Sequence, residues 1–152
     1  MKKLFALLGF VFAVAMLQAQ AQTAEDSVKA TVNTLFKAMK NADAGTLLDC
    51  FTDSAMLQTI LRDKQGKIIV RSETVEEFGK QVATMAKDAG DERIVFETIK
   101  IDGAMANVWT PYKFYFNGKF SHCGVNNFVL VKVDNQWKIQ YIIDTRRRVG
   151  CE

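Results

Sequence analysis

Three two-residue turn signals in the second half of the chain constrain its fold more than any other feature. Asp102-Gly103, Asn117-Gly118 and Asp134-Asn135 each separate runs rich in β-branched and aromatic residues. Such pairs accept the positive φ angles of tight hairpin turns, so they join neighbouring antiparallel strands. The runs Arg93 to Ile101, Ala104 to Phe116, Lys119 to Val133 and Gln136 to Arg146 are therefore expected to form one four-stranded meander. Counting outward from each turn sets the register. It places His122 opposite Lys113, Asn126 opposite Trp109, Phe128 opposite Tyr141 and Leu130 opposite Ile139.

Strand alternation then sorts the side chains into two faces. One is strongly aromatic and carries Phe96, Trp109, Phe128, Trp137 and Tyr141, with Thr98, Asn107, Lys113, His122, Asn126 and Thr145 as its polar members. The other mixes Val108, Val125, Val129, Val131 and Ile142 with Glu97, Thr110, Asp144 and Arg146. The aromatic face is the natural seat for helices, and the mixed face suits a second subunit. Pro111 cannot donate to a ladder and is a candidate bulge, which would exchange the faces of residues 104–110.

The first half of the chain reads as helices around a short hairpin. Val28, Val32, Leu35, Phe36 and Met39 recur at helical spacing between Ala24 and Lys40. Ala44 to Phe51 reads as a short second helix, and Met56 to Ile60 with Lys67 to Val70 as short strands. Ser72 and Thr74 offer caps for a third helix whose apolar face is Val75, Phe78, Val82 and Met85.

Ahead of all this stands a basic start, Met1-Lys2-Lys3, an apolar run from Leu4 to Leu17, and Ala19-Gln20-Ala21. That order describes a cleavable secretory signal over residues 1–21, too short in its apolar part to serve as a membrane anchor. The mature chain is then a single domain over residues 22–152, in the periplasm or secreted. Without Lys2 and Lys3 it has 18 basic and 17 acidic residues, so nothing electrostatic recommends nucleic acid or a membrane surface as a partner. Export permits disulfides, and of Cys50, Cys123 and Cys151 the pairing Cys123–Cys151 is the candidate, because Val149-Gly150 can turn the tail back. One histidine and no paired-cysteine spacing leave no expected metal or cofactor.

The element order helix, short helix, short strands, helix, then long meander resembles the nuclear transport factor 2-like superfamily. Trp109-Thr110-Pro111-Tyr112 with Phe114, Phe120-Ser121-His122-Cys123-Gly124, and Asp144-Thr145-Arg146-Arg147 resemble its exported bacterial branch described as "putative lumazine-binding". The resemblance implies an α+β cone: three N-terminal helices packed on the concave face of a bent antiparallel sheet, a pocket open at one end, and a homodimer formed through the sheet.

On the register above, Trp109, His122, Asn126, Tyr141 and Thr98 are the candidate ligand-binding residues. No carboxylate falls on the aromatic face, and Asp144 faces away from His122. His122 is the one candidate catalytic residue, and it would need a carboxylate from the helical half, such as Asp49 or Asp53. Its neighbour Cys123 points to the opposite face, which disfavours a Cys–His dyad. Arg146, Arg147 and Arg148 read either as a solvated strand end or as an anion clamp at the pocket rim. Three functions stay open: a binder of a small, partly apolar molecule, an isomerase- or dehydratase-type enzyme, and a structural dimerisation module.

Overall fold

A computed structural model describes residues 23–151. The secretory signal expected over residues 1–21 lies outside them. Helix α1 (Ala24–Lys40) starts at a capping box: Thr23 Oγ1 accepts from the Asp26 amide at 3.0 Å while Asp26 accepts from Thr23. Helix α2 (Ala44–Asp49) is capped by Asp43 and stops two residues before the expected end, because Phe51 already opens a strand. Strand β1 (Phe51–Arg62) turns into β2 (Ile68–Thr74). Thr74 and Glu77 then form a second capping box for α3 (Val75–Ala83). The meander follows as β3 (Gly90–Ile94), β4 (Thr98–Asp102), β5 (Met105–Phe116), β6 (Lys119–Val133) and β7 (Gln136–Thr145).

The sheet has seven strands in the order β2-β1-β7-β6-β5-β3, with β4 also on β5. It is mixed rather than antiparallel throughout, since β1 lies parallel to β7. No local turn announces that contact; it joins the two ends of the domain and forms only once the sheet bends. The helices pack on the concave face, where Val28, Val32, Leu47 and Val82 meet Val108, Phe128, Leu130 and Ile139, all fully buried. The Phe36 ring meets Phe128 edge-on at 6.0 Å.

Three irregularities alter the expected register. Phe114 pairs with His122 but Tyr115 pairs with Phe120, so Ser121 is an extra residue in β6. Leu130 pairs with Ile139 but Val129 pairs with Tyr141, so Gln140 is an extra residue in β7. The expected single strand from Arg93 to Ile101 is broken at residues 95–97 into β3 and β4. Beyond each bulge the partners slip by one. His122 therefore faces Phe114 and not Lys113, Asn126 faces Thr110 and not Trp109, and Phe128 faces Ile142 and not Tyr141. Pro111 sits in regular register opposite Val125; the irregularity is in β6, at Ser121, and it pairs the even-numbered residues of β5 with His122, Asn126 and Phe128.

A disulfide joins Cys123 to Cys151 and holds the tail against β6, beside the bridge from Cys123 to Arg147. Closing a loop over a sequence separation of 28 contributes about 3–4 kcal/mol by loop-closure entropy. Cys50 is free and buried, and burial pushes its thiol up to about 11, so it behaves as a small apolar side chain.

Candidate functional site

Between the helices and the concave face lies a cavity of about 290 Å³. Its walls are mostly apolar. Helix α1 supplies Leu35, Phe36 and Met39, and Phe78 and Met85 come from α3 and the segment after it. The sheet adds Phe114, Phe128 and Ile142. One polar cluster is contributed strand by strand: Thr59 from β1, Glu92 from β3, Tyr112 from β5, His122 and Asn126 from β6, Asp144 from β7 and Arg146 just after it; Gln58, Arg71, Glu73 and Gln81 line the rest.

Asp144 is the hub of this cluster. It is buried, at 7% exposure. Oδ1 accepts from Thr59 Oγ1 at 2.6 Å, and Oδ2 accepts from Tyr112 Oη at 2.9 Å and from Arg146 Nε at 3.0 Å. Three donors, one of them charged, satisfy a buried carboxylate. Burial, then the nearby Asp144 and Glu92 carboxylates, raise the Tyr112 pKa well above the ordinary phenol range, so the hydroxyl keeps its proton. The Tyr112 hydroxyl also lies 3.0 Å from the Thr145 carbonyl, across Gly124. A Cβ on Gly124 would sit 1.7 Å from that carbonyl oxygen and 2.8 Å from the Tyr112 ring, so only glycine lets the ring lie there.

Glu92 is held differently. Asn126 Nδ2 donates to its Oε1 at 2.7 Å, and no other described side chain donates to it. Its carboxyl is partly accessible from within the cavity yet surrounded by protein on every side. Burial pushes its pKa up to about 7; Asn126 and Arg146 favour the charged form and Asp144 opposes it. His122 has its Nδ1 3.0 Å from Ser121 Oγ, its ring edge-on to Tyr112 at 5.7 Å and tilted over Phe114 at 5.0 Å. Burial, then the Arg146 charge, lower its pKa below the usual histidine value, so it is neutral at pH 7.

Of the residues expected to bind ligand, the structure brings His122 and Asn126 to the cavity. Trp109 is 41% exposed on the convex side, because the extra residue Ser121 in β6 pairs Asn126 with Thr110 and so puts the even-numbered residues of β5 on the concave side. Thr98 is its exposed neighbour on β4. Tyr141 is turned outward by the Gln140 bulge and donates its hydroxyl to Gln58. Asp49 and Asp53 are exposed and do not line the cavity, so neither partners His122. The expectation of a cavity without carboxylates is corrected twice. Asp144 was assigned outward on a register that ignored Gln140, and Glu92 lay just outside the expected strand start. The Glu92 signal was present: it precedes Ile94 and Phe96 at the same period-two spacing. Of the three arginines, only Arg146 reaches the cavity, while Arg147 Nε donates to the Gly150 carbonyl at 3.2 Å. Cys123 is consumed by its disulfide and is no nucleophile.

The fold has close counterparts among solved structures. A "NTF-2 like protein of unknown function" from Shewanella oneidensis aligns with a TM-score of 0.63 at 16% identity, covering 81% of this chain and 99% of that one. A Nostoc punctiforme protein of unknown function with a cystatin-like fold aligns at 0.64 and 12% identity, over 86% and 97%. A Mycobacterium tuberculosis protein of unknown function aligns at 0.60 and 16%, over 82% and 72%. At such identities the likeness concerns the fold alone. No curated protein sequence matches the chain. A family model does, over residues 23–141. With its helices on a bent seven-stranded sheet, the chain folds as a nuclear transport factor 2-like cone and belongs to the family described as "Putative lumazine-binding".

Proposed function

We propose that this chain is an exported protein that binds a small, partly apolar molecule in the cone cavity. One observation carries the reading: an open cavity of about 290 Å³, apolar over the larger part of its wall, with hydrogen-bonding groups gathered from six strands and α3. That volume is at the small end of the range for ligand sites. A structural module would fill this space with its own side chains. The family description, which names a lumazine, agrees with a flat ligand of this size.

Export is supported by the signal pattern at the N-terminus and by the disulfide, which suits an oxidising compartment. Homodimer formation is supported by the convex face, where Met105 and Trp109 are exposed beside half-buried Val125, Val129 and Val131. An isomerase- or dehydratase-type reaction run by His122 has less support, because its ring nitrogen meets the Ser121 hydroxyl and not a carboxylate.

Native mass spectrometry of the protein purified from an oxidising compartment tests these points together. Extra mass lost on denaturation, absent from a Met85→Trp variant that plugs the cavity, is the expected result. Unchanged adduct in the plugged variant would place the ligand elsewhere and end the reading. The same spectra report the dimer mass and whether the chain begins at Gln22.

A further inference from the structure

Of the three carboxyl groups that line the cavity, Glu73 accepts from Gln81, and the two on the meander, Asp144 and Glu92, are not equivalent. Asp144 already accepts from Thr59, Tyr112 and Arg146, three of about four acceptor sites on its carboxylate, and is only 7% exposed, so it offers a visitor little. The Tyr112 hydroxyl has one hydrogen and already faces two protein acceptors. Glu92 receives one hydrogen bond, on Oε1. Among the described residues nothing donates to Oε2, and nothing donates to the Asn126 carbonyl oxygen beside it. The polar end of the cavity therefore presents acceptors whose partners the protein does not supply. Neither atom is sealed off from the cavity, so a ligand that donates to them replaces solvent with a fixed partner in a confined, partly apolar space.

Resting on the ligand-binding reading above, we propose that Glu92 is the group that selects the ligand: a mostly apolar molecule whose polar end carries an N–H or O–H donor directed at the free Glu92 oxygen. Asn126 positions the carboxyl by holding its other oxygen. Arg146, bound to Asp144 through Nε alone, keeps its terminal N–H groups for an acceptor on the same ligand. A cyclic imide or amide, which sets N–H beside C=O, has this pattern.

The ionised carboxyl is the stronger acceptor, so binding is coupled to the charge of Glu92. Burial, Asn126 on β6, Asp144 on β7 and Arg146 just after it set its titration, and Tyr112 on β5 and His122 on β6 face the same cavity. Arg71 and Glu73 of β2 line the same cavity, and the adjacent Asp91 is engaged with Lys40 of α1 and with Arg93. Glu92 loses its proton near pH 7, so affinity for a donor ligand rises between about pH 6 and about pH 8.

The test is calorimetric titration of the mature protein with lumazine, which has ring N–H donors, and with 1,3-dimethyllumazine, which lacks them. Wild type is expected to prefer lumazine by about tenfold or more at the upper pH, with the preference shrinking at the lower pH. Glu92→Gln is expected to bind both compounds alike, with no pH dependence. Wild type lacking the preference, a Glu92→Gln variant retaining it with its pH profile, or wild type binding neither compound would each overturn the proposal. The wild-type comparison stands even if the variant fails to fold. Binding abolished by Met85→Trp but indifferent to methylation would leave the cavity reading intact and remove Glu92 from it.

Discussion

Strands β5, β6 and β7 behave differently on the two sides of the Ser121 and Gln140 bulges. On the turn side, the hairpin dictates the register: Phe116 pairs with Lys119 and Leu130 with Ile139, and around the second turn Leu130, Trp137 and Ile139 are buried as ordinary core. On the far side, β6 past Ser121 and β7 past Gln140 present the opposite set of residues from the one their turns dictate, while β5 keeps its alternation. Tyr112, His122, Asn126, Asp144 and Arg146 all lie there. Phe128 and Ile142 of the core lie beyond the bulges as well, so the displaced segments carry both core and the polar site, whereas the segments next to the turns carry core and solvent-facing residues alone. One extra residue in β6 and one in β7 invert a face without breaking the sheet, which is how an otherwise apolar concave surface acquires a hydrogen-bonding end.

The most damaging way to break this arrangement is at Gly124, where β5 and the displaced halves of β6 and β7 approach most closely. Gly124→Ala puts a methyl group into the Thr145 carbonyl. It is expected to cost about 3–5 kcal/mol or to prevent folding, measured by chemical denaturation. An alanine variant of near-native stability would show that the strands there are not so closely packed. The contrast predicts that substitutions of similar size on the turn side, at exposed Gly118 or Gly103, act only through their positive φ.

A smaller effect sharpens the difference between the two carboxyls. The folded-state pKa of Glu92 lies above its usual value of 4.5, at about 7. Between those values the folded protein binds more protons at this site than the unfolded chain does. Its contribution is therefore fully present below about pH 4.5 and is lost as pH rises through about 7, by at most about 3 kcal/mol. Glu92→Gln should match wild type at the acid end of this window and exceed it above neutrality, as read from denaturation midpoints across pH. Parallel stability profiles for the two proteins would mean that the carboxyl is not desolvated by the cavity.

The smallest effect is expected from Trp109→Ala. On the expected register this residue would have faced the ligand; on the observed one it stands on the convex side. Ligand affinity should stay within about twofold of wild type, since no contact to the cavity is lost. A clear loss would return Trp109 to the site and contradict the bulge at Ser121. Ultracentrifugation of the same variant asks whether the convex face holds a second copy.

Much of this protein is legible along the chain. Helix α1 follows from the spacing of Val28, Val32, Leu35 and Met39. The hairpins follow from turn pairs whose Asn117, Asp134 and Asn135 take positive φ, as do Gly103 and Gly118. Turns and helix caps are local, settled by a few neighbouring residues, so local sequence determines them. The α+β cone is then close to the one way to cover the aromatic face. The parallel contact of β1 with β7 and the bulges at Ser121 and Gln140 have no such local cause. A bulge exists because the bent sheet must keep its far strands in contact, and its energy is shared among strands distant in sequence. Period-two alternation turns that single-residue slip into an exchange of faces. For this reason the sequence by itself determined the fold and named His122 and Asn126, while only the tertiary structure brought Glu92, Tyr112, Asp144 and Arg146 around them.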